Sequence, residues 1–93
     1  MYVVAESDYL ARNLLNVAEK MNLSAGKDFF IISFDDLPLA GKMNLSSIRQ
    51  PRYELGYEAA QFLLQMIEGQ ITQGMCKHLP VTLIERKSSQ FTP

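Results

Sequence analysis

The sequence predicts an α/β fold built on a mainly parallel sheet, and two observations lead to this prediction. Short β-branched or aromatic runs alternate along the chain with segments whose apolar residues recur at helical spacing. The first strand, helix and second strand also follow one another over the length that a βαβ unit needs. With 93 residues, 47% of them hydrophobic and 20% charged, the chain is expected to form one globular domain or a piece of one.

The first predicted unit consists of a strand, a helix and a second strand. Residues 2–5 (YVVA) are β-branched and are followed by Ser7 and Asp8, two residue types that cap helices. An apolar stripe at helical spacing predicts a helix over 8–21. Residues 29–34 (FFIISF) form a short apolar run that is typical of a strand buried on both faces. The two strands are expected to be parallel neighbours joined by a right-handed crossover.

The rest of the chain is predicted to contain a loop, an extended segment, a helix and a last strand. Residues 35–44 are assigned to the loop, and 45–51 (LSSIRQP) to the extended segment because a proline disfavours the helical region in the residue before it. An apolar stripe predicts a helix over 52–69. Residues 79–89 (LPVTLIERKSS) alternate well enough for a strand, and Arg86 is expected to pair with a carboxylate.

Polar residues follow the first two predicted strands at the point where each strand ends. Ligands of parallel α/β sheets bind beyond the carboxyl ends of the strands, so Ser7, Asp8, Asp35 and Asp36 lie where a neutral, hydroxyl-rich ligand could be bound, and we favour ligand contact for Asp35. Either Ser7 or Asp8 should cap the helix, and we assign the cap to Asp8 and the ligand contact to Ser7. Asp36 is assigned to the cap of a short helical turn at Leu37, with ligand contact as the alternative.

Charge and residue content exclude several classes of function. Nine Lys and Arg against ten Asp and Glu give a net charge of −1, without the basic excess of a nucleic-acid-binding surface. Cys76 is the single cysteine and forms no internal disulfide, and His78 has no partner at metal spacing. We therefore expect no enzyme, no catalytic or metal-binding residue and no cofactor. The lack of a long apolar span or a signal pattern predicts a cytoplasmic protein without membrane contact.

Four segments resemble, in the same order, the C-terminal part of the lac repressor and galactose repressor (LacI/GalR) family of transcriptional regulators. They are VVAESDYLARNLLNVAEKMNL, FFIISFDDLPLAG, LSSIRQPRYELGYEAAQFLLQMIEG and LPVTLIERKSS. The resemblance implies a truncated, two-lobed effector domain like those of periplasmic binding proteins, and a DNA-binding headpiece outside this chain. Residues 1–48 and 77–89 would belong to the C-terminal lobe, and 49–76 would cross to the N-terminal lobe.

The resemblance also implies roles for individual residues. By position, Ser7, Phe34, Asp35 and Gln50 would contact a sugar or related metabolite between the lobes. Ser7 stands where the family usually has asparagine, and Ser33 where it usually has glycine. Family members usually act as dimers, and a homodimer is expected here too. The positions like those at the family's dimer contact are Leu10, Arg12, Asn13, Asn16, Lys42 and Met43.

Two other functions remain open on the sequence. Paired aspartates after a buried strand also hold Mg²⁺ in phosphoacceptor receiver domains. Such domains need a further aspartate after another strand and a lysine before a late proline, whereas the late segment here reads KHLP. A periplasmic sugar-binding protein would share the fold, but such proteins usually carry a signal peptide.

Overall fold

The computed structural model of the protein describes residues 1–70, 74 and 76–91. In this part of the chain the predicted α/β class is confirmed, with helices and strands alternating along the sequence. In order they are β1 Tyr2–Val4, α1 Asp8–Lys20, β2 Phe30–Phe34, α2 Pro38–Lys42, β3 Ser46–Arg49, α3 Arg52–Ile67, β4 Thr82–Ile84 and a 3₁₀ turn Lys87–Ser89.

The strands form one four-stranded sheet among the described residues, in the order β1-β2-β3-β4. β1 pairs with β2, and β2 with β3, in parallel, with Ser33 opposite Ser47. The β1–β2 pair confirms the predicted parallel neighbours. β4 runs antiparallel to β3 and is shorter than the predicted strand over 79–89. The chain leaves β4 after Ile84 and turns back at residues 87–89, where Ser88 Oγ donates a hydrogen bond to the Ile31 carbonyl at 2.7 Å.

α1 and the sheet share the hydrophobic core. Its buried members are Ala5, Ala11, Ala18, Phe29, Ile31, Ala40 and Leu45. The alanines of α1 let the helix backbone approach the sheet closely, because they bring no bulk beyond Cβ. Ile31 is fully buried and contributes about 2 to 3 kcal/mol through the removal of its side chain from water.

The opposite face of the sheet is much less covered. Tyr2 and Val4 are 83% and 70% exposed, and the rings of Tyr2 and Phe30 stack with centroids 5.3 Å apart. Side chains alternate across a strand, so Ile31 and Ser33 lie on the buried face while Phe30 lies on the half-buried one. The prediction that β2 is buried on both faces is therefore confirmed for the face of Ile31 and Ser33 and wrong for the face of Phe30, which is only half-buried.

The segment predicted as a loop contains a short helix. Pro38 occupies the first turn of α2, where its missing N–H is not needed and its fixed φ suits a helix. Leu37 precedes it as the N-cap residue without a capping side-chain hydrogen bond, so the prediction that Asp36 caps this turn is wrong. The helix ends at Lys42, and Asn44, two residues later, adopts a positive φ of 53°.

The described chain divides into two compact units. The first contains residues 1–50 and the segment from Thr82 onward, and the second spans Pro51–Val81. In the second unit α3 ends at Ile67, two residues before the predicted boundary, and none of its residues is buried. None of the described helices has the length and hydropathy that a membrane span requires. The assignment of the two units to two lobes stays a prediction.

Candidate functional site

Three polar side chains follow the parallel strands at the same edge of the sheet. Ser7 comes after β1, Asp35 directly after β2, and Gln50 directly after β3. Gln50 Nε2 donates a hydrogen bond to Asp35 Oδ1 at 3.1 Å. The carboxyl edge therefore brings together a carboxylate and an amide whose positions are 15 residues apart in the sequence.

Ser7 is the N-cap of α1, so the assignment of the cap to Asp8 is wrong. Its backbone is extended, with φ −151° and ψ 159°, and its Oγ accepts a hydrogen bond from Leu10 N at 3.2 Å. A serine hydroxyl that accepts one hydrogen bond still carries its own proton for donation. The cap therefore leaves Ser7 able to donate to a ligand, and ligand contact by Ser7 stays a prediction.

Asp8 is fully buried beneath this edge of the sheet. Its Oδ1 accepts hydrogen bonds from Ser33 Oγ at 2.5 Å and from Ser47 Oγ at 2.7 Å, and its Oδ2 accepts one from Leu37 N at 2.6 Å. Three donors thus compensate the carboxylate for the water that it lost on burial. We call Asp8, Ser33 and Ser47 the buried triad.

Sequence reasoning missed the buried triad, although one signal was available. Ser33 interrupts the apolar run of β2 at a position that shares a face with the buried Ile31. A hydroxyl on a buried face needs a hydrogen-bond partner, and the neighbouring strand supplies Ser47 at the matching register. Asp8, the first residue of the helix that follows β1, was the remaining candidate for a partner on that face.

The turn between β2 and α2 has an unusual backbone. Asp35 and Asp36 have φ values of 114° and 54°, in the region that side chains with a Cβ rarely adopt. The amide of Asp36 donates to Ser47 Oγ at 2.9 Å, and the amide of Asp35 donates to the Ile48 carbonyl at 2.9 Å. These bonds tie the turn to β3 and compensate for its strain.

Asp36 is paired with two arginines. Its Oδ1 accepts a hydrogen bond from Arg86 Nη1 at 2.8 Å, and its Oδ2 lies 2.8 Å from both Nε and Nη2 of Arg49. Burial alone would raise the pKa of Asp36, but the hydrogen bonds and charges of Arg86 and Arg49 outweigh it and lower the pKa below its usual value. The prediction that Arg86 pairs with a carboxylate is confirmed.

Phe34 is the last residue of β2 and is half-buried. It shares the less covered sheet face with Phe30 by strand alternation, and it directly precedes the turn that carries Asp35. A ring at this position has the apolar face that stacks against the C–H face of a sugar. Its role as a wall of the ligand site stays a prediction.

The residues expected at a dimer contact lie mostly at the surface. Leu10 is 49% exposed, and Arg12 lies over the Tyr9 ring at 5.5 Å from its centroid. Met43 is half-buried and packs against the core. Leu10 and Asn13 also line an open apolar groove of about 660 Å³. Asn16 and Lys42 are exposed. Their part in an interface stays a prediction.

Few other groups of chemical interest occur in the part of the chain that the structure describes. Within residues 1–70, 74 and 76–91, no cluster of three or more His, Cys, Asp or Glu side chains is arranged to hold a metal ion. Cys76 is exposed, and its Sγ lies 3.6 Å from His78 Nε2.

Comparisons with known proteins identify what this chain resembles. The model of the periplasmic binding protein-like domain family matches residues 3–89. The chain is 37% identical over 90 residues to the ribose operon repressor of Bacillus subtilis, covering 95% of this chain and 28% of that protein. It is 34% identical over 93 residues to the HTH-type transcriptional repressor CytR of Escherichia coli, covering 98% of this chain and 27% of that protein.

Solved structures that resemble this chain also include transcriptional regulators. A LacI family transcriptional regulator from Enterococcus faecium, with bound ribose, superposes with a TM-score of 0.82 at 30% sequence identity. The match covers all of this chain and 36% of that one. The chain therefore spans about a quarter to a third of the length of the proteins that it matches.

Proposed function

Since the chain belongs to the periplasmic binding protein-like domain family, in the form found in LacI-type transcriptional repressors, we propose that it is the C-terminal part of the effector-binding domain of such a regulator. A sugar-like small molecule binds between two lobes and changes the affinity of the regulator for DNA. DNA is bound by a helix-turn-helix headpiece outside this chain, in the cytoplasm. The effector contacts are Ser7, Phe34, Asp35 and Gln50.

The observation that carries this proposal is the hydrogen bond between Gln50 and Asp35 at the carboxyl edge of the sheet. A carboxylate supplies only acceptors, whereas a side-chain amide supplies both a donor and an acceptor. Neighbouring hydroxyls of a sugar need both kinds of partner, because each hydroxyl donates and accepts. A site with a few convergent polar groups and an adjacent ring is the usual design for such ligands.

The effector class that we propose is a neutral pentose. Two of the similar proteins point to ribose, one through its name as a ribose operon repressor and one through the ribose bound in its structure. Arg49 and Arg86 both pair with Asp36, and Asp35 adds a second acidic side chain at the same edge, so two carboxyl groups balance two arginines that would otherwise favour a phosphorylated ligand. This arrangement supports a neutral sugar over a sugar phosphate.

The proposal of two lobes accounts for the two compact units of the described chain. We assign 1–48 and 77–89 to the C-terminal lobe and 49–76 to a segment that crosses to the N-terminal lobe. The compact units divide before Pro51 and before Thr82, two residues after the first assigned boundary and five after the second, and this division supports the assignment in outline. So does α3, whose large apolar side chains, such as Leu63 and Ile67, are 58% and 73% exposed and need a partner surface.

Signal transmission then follows from differential affinity. A ligand that contacts both lobes favours the closed arrangement over the open one, and only that difference in affinity can reach the headpiece. A homodimer would present two headpieces to the two halves of an operator. The proposed dimer contact is formed by Leu10, Arg12, Asn13, Asn16, Lys42 and Met43.

The other functions receive less support. A receiver domain would need a carboxylate free to bind Mg²⁺, whereas the carboxylate of Asp36 is paired with Arg49 and Arg86. The repressor relatives favour a regulator over a periplasmic sugar-binding protein. The family match is compatible with both, because the two share the fold.

Isothermal titration of the complete regulator, the longer protein of which we propose this chain is a part, tests the proposal. The panel contains ribose, arabinose, xylose, glucose and ribose 5-phosphate. We expect one site per subunit, with a neutral pentose bound more tightly than the sugar phosphate. Failure of every neutral sugar to bind would contradict the proposed function.

A further inference from the structure

The turn after β2 holds two consecutive residues in a strained conformation. Asp35 and Asp36 both have positive φ, and neither is glycine. A short segment of this kind relaxes unless its surroundings over-determine it. Relaxation would rotate the Asp35 side chain, because the direction of a side chain is fixed by the backbone dihedrals of its own residue. The groups that hold the turn therefore also set where the Asp35 carboxylate points.

Two buried side chains hold the amides that follow Asp35. Leu37 N donates directly to Asp8 Oδ2 at 2.6 Å, and Asp36 N donates to Ser47 Oγ at 2.9 Å. Ser47 Oγ in turn donates to Asp8 Oδ1 at 2.7 Å. A hydroxyl that donates to a carboxylate becomes a better acceptor for the next donor, so the two bonds at Ser47 strengthen each other.

Ser33 completes the arrangement from β2 itself. Its hydroxyl donates to the same Asp8 oxygen as the hydroxyl of Ser47. The buried carboxylate of Asp8 therefore connects β2 to β3. All three members of the buried triad are fully buried, and water does not compete with these bonds. Gln50, which meets Asp35 at 3.1 Å, follows the same strand β3 that carries Ser47.

We infer that the buried triad is a positioning network for the effector site, an inference that rests on the proposed function. Asp8 touches no ligand. It fixes the two amides after Asp35, directly and through Ser47, and thereby holds the Asp35 carboxylate opposite Gln50 in the geometry that receives two neighbouring hydroxyls. Effector affinity then depends on buried groups that lie outside the ligand contacts.

Ser47→Ala and Ser46→Ala form a matched pair of variants for the test. Both serines lie on β3, both are fully buried, and both hydroxyls make hydrogen bonds. The Ser46 hydroxyl, however, bonds to the backbone of Arg86, on the side of the 3₁₀ turn. Loss of either hydroxyl therefore removes buried hydrogen bonds, but only Ser47 bonds directly to the turn after β2. Ser46 reaches that turn only through Arg86, whose side chain pairs with Asp36.

Ribose affinity of the complete regulator is the first readout. We expect Ser47→Ala to weaken ribose binding by about 5- to 20-fold, and Ser46→Ala to leave it within about twofold of the wild type. Ser47→Thr keeps the hydroxyl and should bind more tightly than Ser47→Ala. Equal affinities for the Ser47→Ala and Ser46→Ala variants would overturn the inference.

A double-mutant cycle shows whether the network acts through Asp35. Asp35→Asn removes the carboxylate that the network is inferred to position, so Ser47→Ala should cause little further loss in that background. Additive losses would contradict positioning and would leave Ser47 with a structural role. If Asp35→Asn alone leaves ribose affinity unchanged, the proposed function fails instead, so the two failures are distinguishable.

Hydrogen–deuterium exchange supplies a readout that needs no ligand. The peptide that covers residues 34–38 contains the Asp36 and Leu37 amides. We expect this peptide to exchange faster in Ser47→Ala than in Ser46→Ala, because only Ser47 accepts from one of these amides. Equal exchange in the two variants would overturn the inference whatever the effector is.

Discussion

The Asp36 carboxylate and the Arg86 guanidinium lie 2.8 Å apart although the residues are 50 positions apart in the sequence. The contact joins the turn after β2 to the segment after β4. Arg86 also donates to the Leu45 carbonyl at 2.8 Å, so one guanidinium links three parts of the first unit. The edge of the sheet that carries the proposed effector site is therefore held from both sides, by this ion pair and by the buried triad.

Stability should depend on the charge of Asp36. Its folded-state pKa lies below the value of about 3.9 that an unfolded chain gives, so its contribution is complete above that value and is lost as the pH falls through the folded-state pKa. We expect the difference in unfolding free energy between wild type and Asp36→Asn to be largest near neutral pH and to shrink below about pH 4. Urea denaturation at several pH values measures it. A difference that does not change with pH would contradict this assignment.

The two arginine partners of Asp36 should contribute unequally. Arg86 is 22% exposed and also satisfies the Leu45 carbonyl, so Arg86→Met should lower the unfolding free energy by about 2 to 3 kcal/mol. Arg49 is 56% exposed, and solvent screening should limit the loss in Arg49→Met to about 1 kcal/mol or less. Chemical denaturation of the two variants compares them. A larger loss for Arg49 would be inconsistent with the burial seen here.

Gly26 should tolerate no side chain. Its φ is +88°, and a Cβ built there would lie 2.5 Å from the Lys87 carbonyl oxygen and 2.8 Å from that of Gln90. Gly26→Ala should destabilise the protein by about 2 kcal/mol or more. Gly41 lies in α2 with its nearest neighbouring atom at 3.9 Å, so Gly41→Ala serves as the control and should be neutral or stabilising. Similar thermal unfolding temperatures for both variants would refute this expectation.

The proposed dimer should be sensitive to charge at Leu10. Leu10→Glu would place a carboxylate within an apolar contact, and we expect dimer dissociation to become at least about tenfold easier. Lys20→Glu, an exposed change on the same helix outside the predicted contact, is the control. Sedimentation equilibrium of the complete regulator measures both. Unchanged dimerisation in Leu10→Glu would remove α1 from the interface.

The parallel part of the fold could be predicted because local patterns decide it. β1 and β2 are short apolar runs and α1 shows a helical period, and a βαβ connection of this length leaves few alternative pairings. The predicted β4 is too long because the alternation of residues 79–89 continues past Ile84, the last residue of the strand. Beyond Ile84 the chain forms a turn in which the Ser88 hydroxyl donates a hydrogen bond to the Ile31 carbonyl. That contact is formed between residues 57 positions apart and leaves no local signal.

The polar roles at the sheet edge were only partly predictable. Capping preferences do not separate Ser7 from Asp8, since both residue types cap helices. The choice is decided by Ser33 and Ser47, which offer hydroxyls to a buried carboxylate and so draw Asp8 inside. The carboxylate of Asp36 pairs with Arg49 and Arg86 instead of capping the helix that follows it. Such pairing between residues far apart in the sequence leaves no local pattern from which it could be predicted.

The most direct test of the central claim is the ribose affinity of the complete regulator carrying Asp35→Asn. The variant keeps the shape of the side chain but replaces one carboxylate oxygen with a donor, so hydroxyls that donate to Asp35 lose their acceptor. Asp28→Asn, at a carboxylate that accepts from Ser24 N in a loop, is the control. We expect binding about 10- to 100-fold weaker in Asp35→Asn and unchanged in the control. Wild-type affinity in Asp35→Asn would contradict the claim that the Asp35 and Gln50 edge holds the effector.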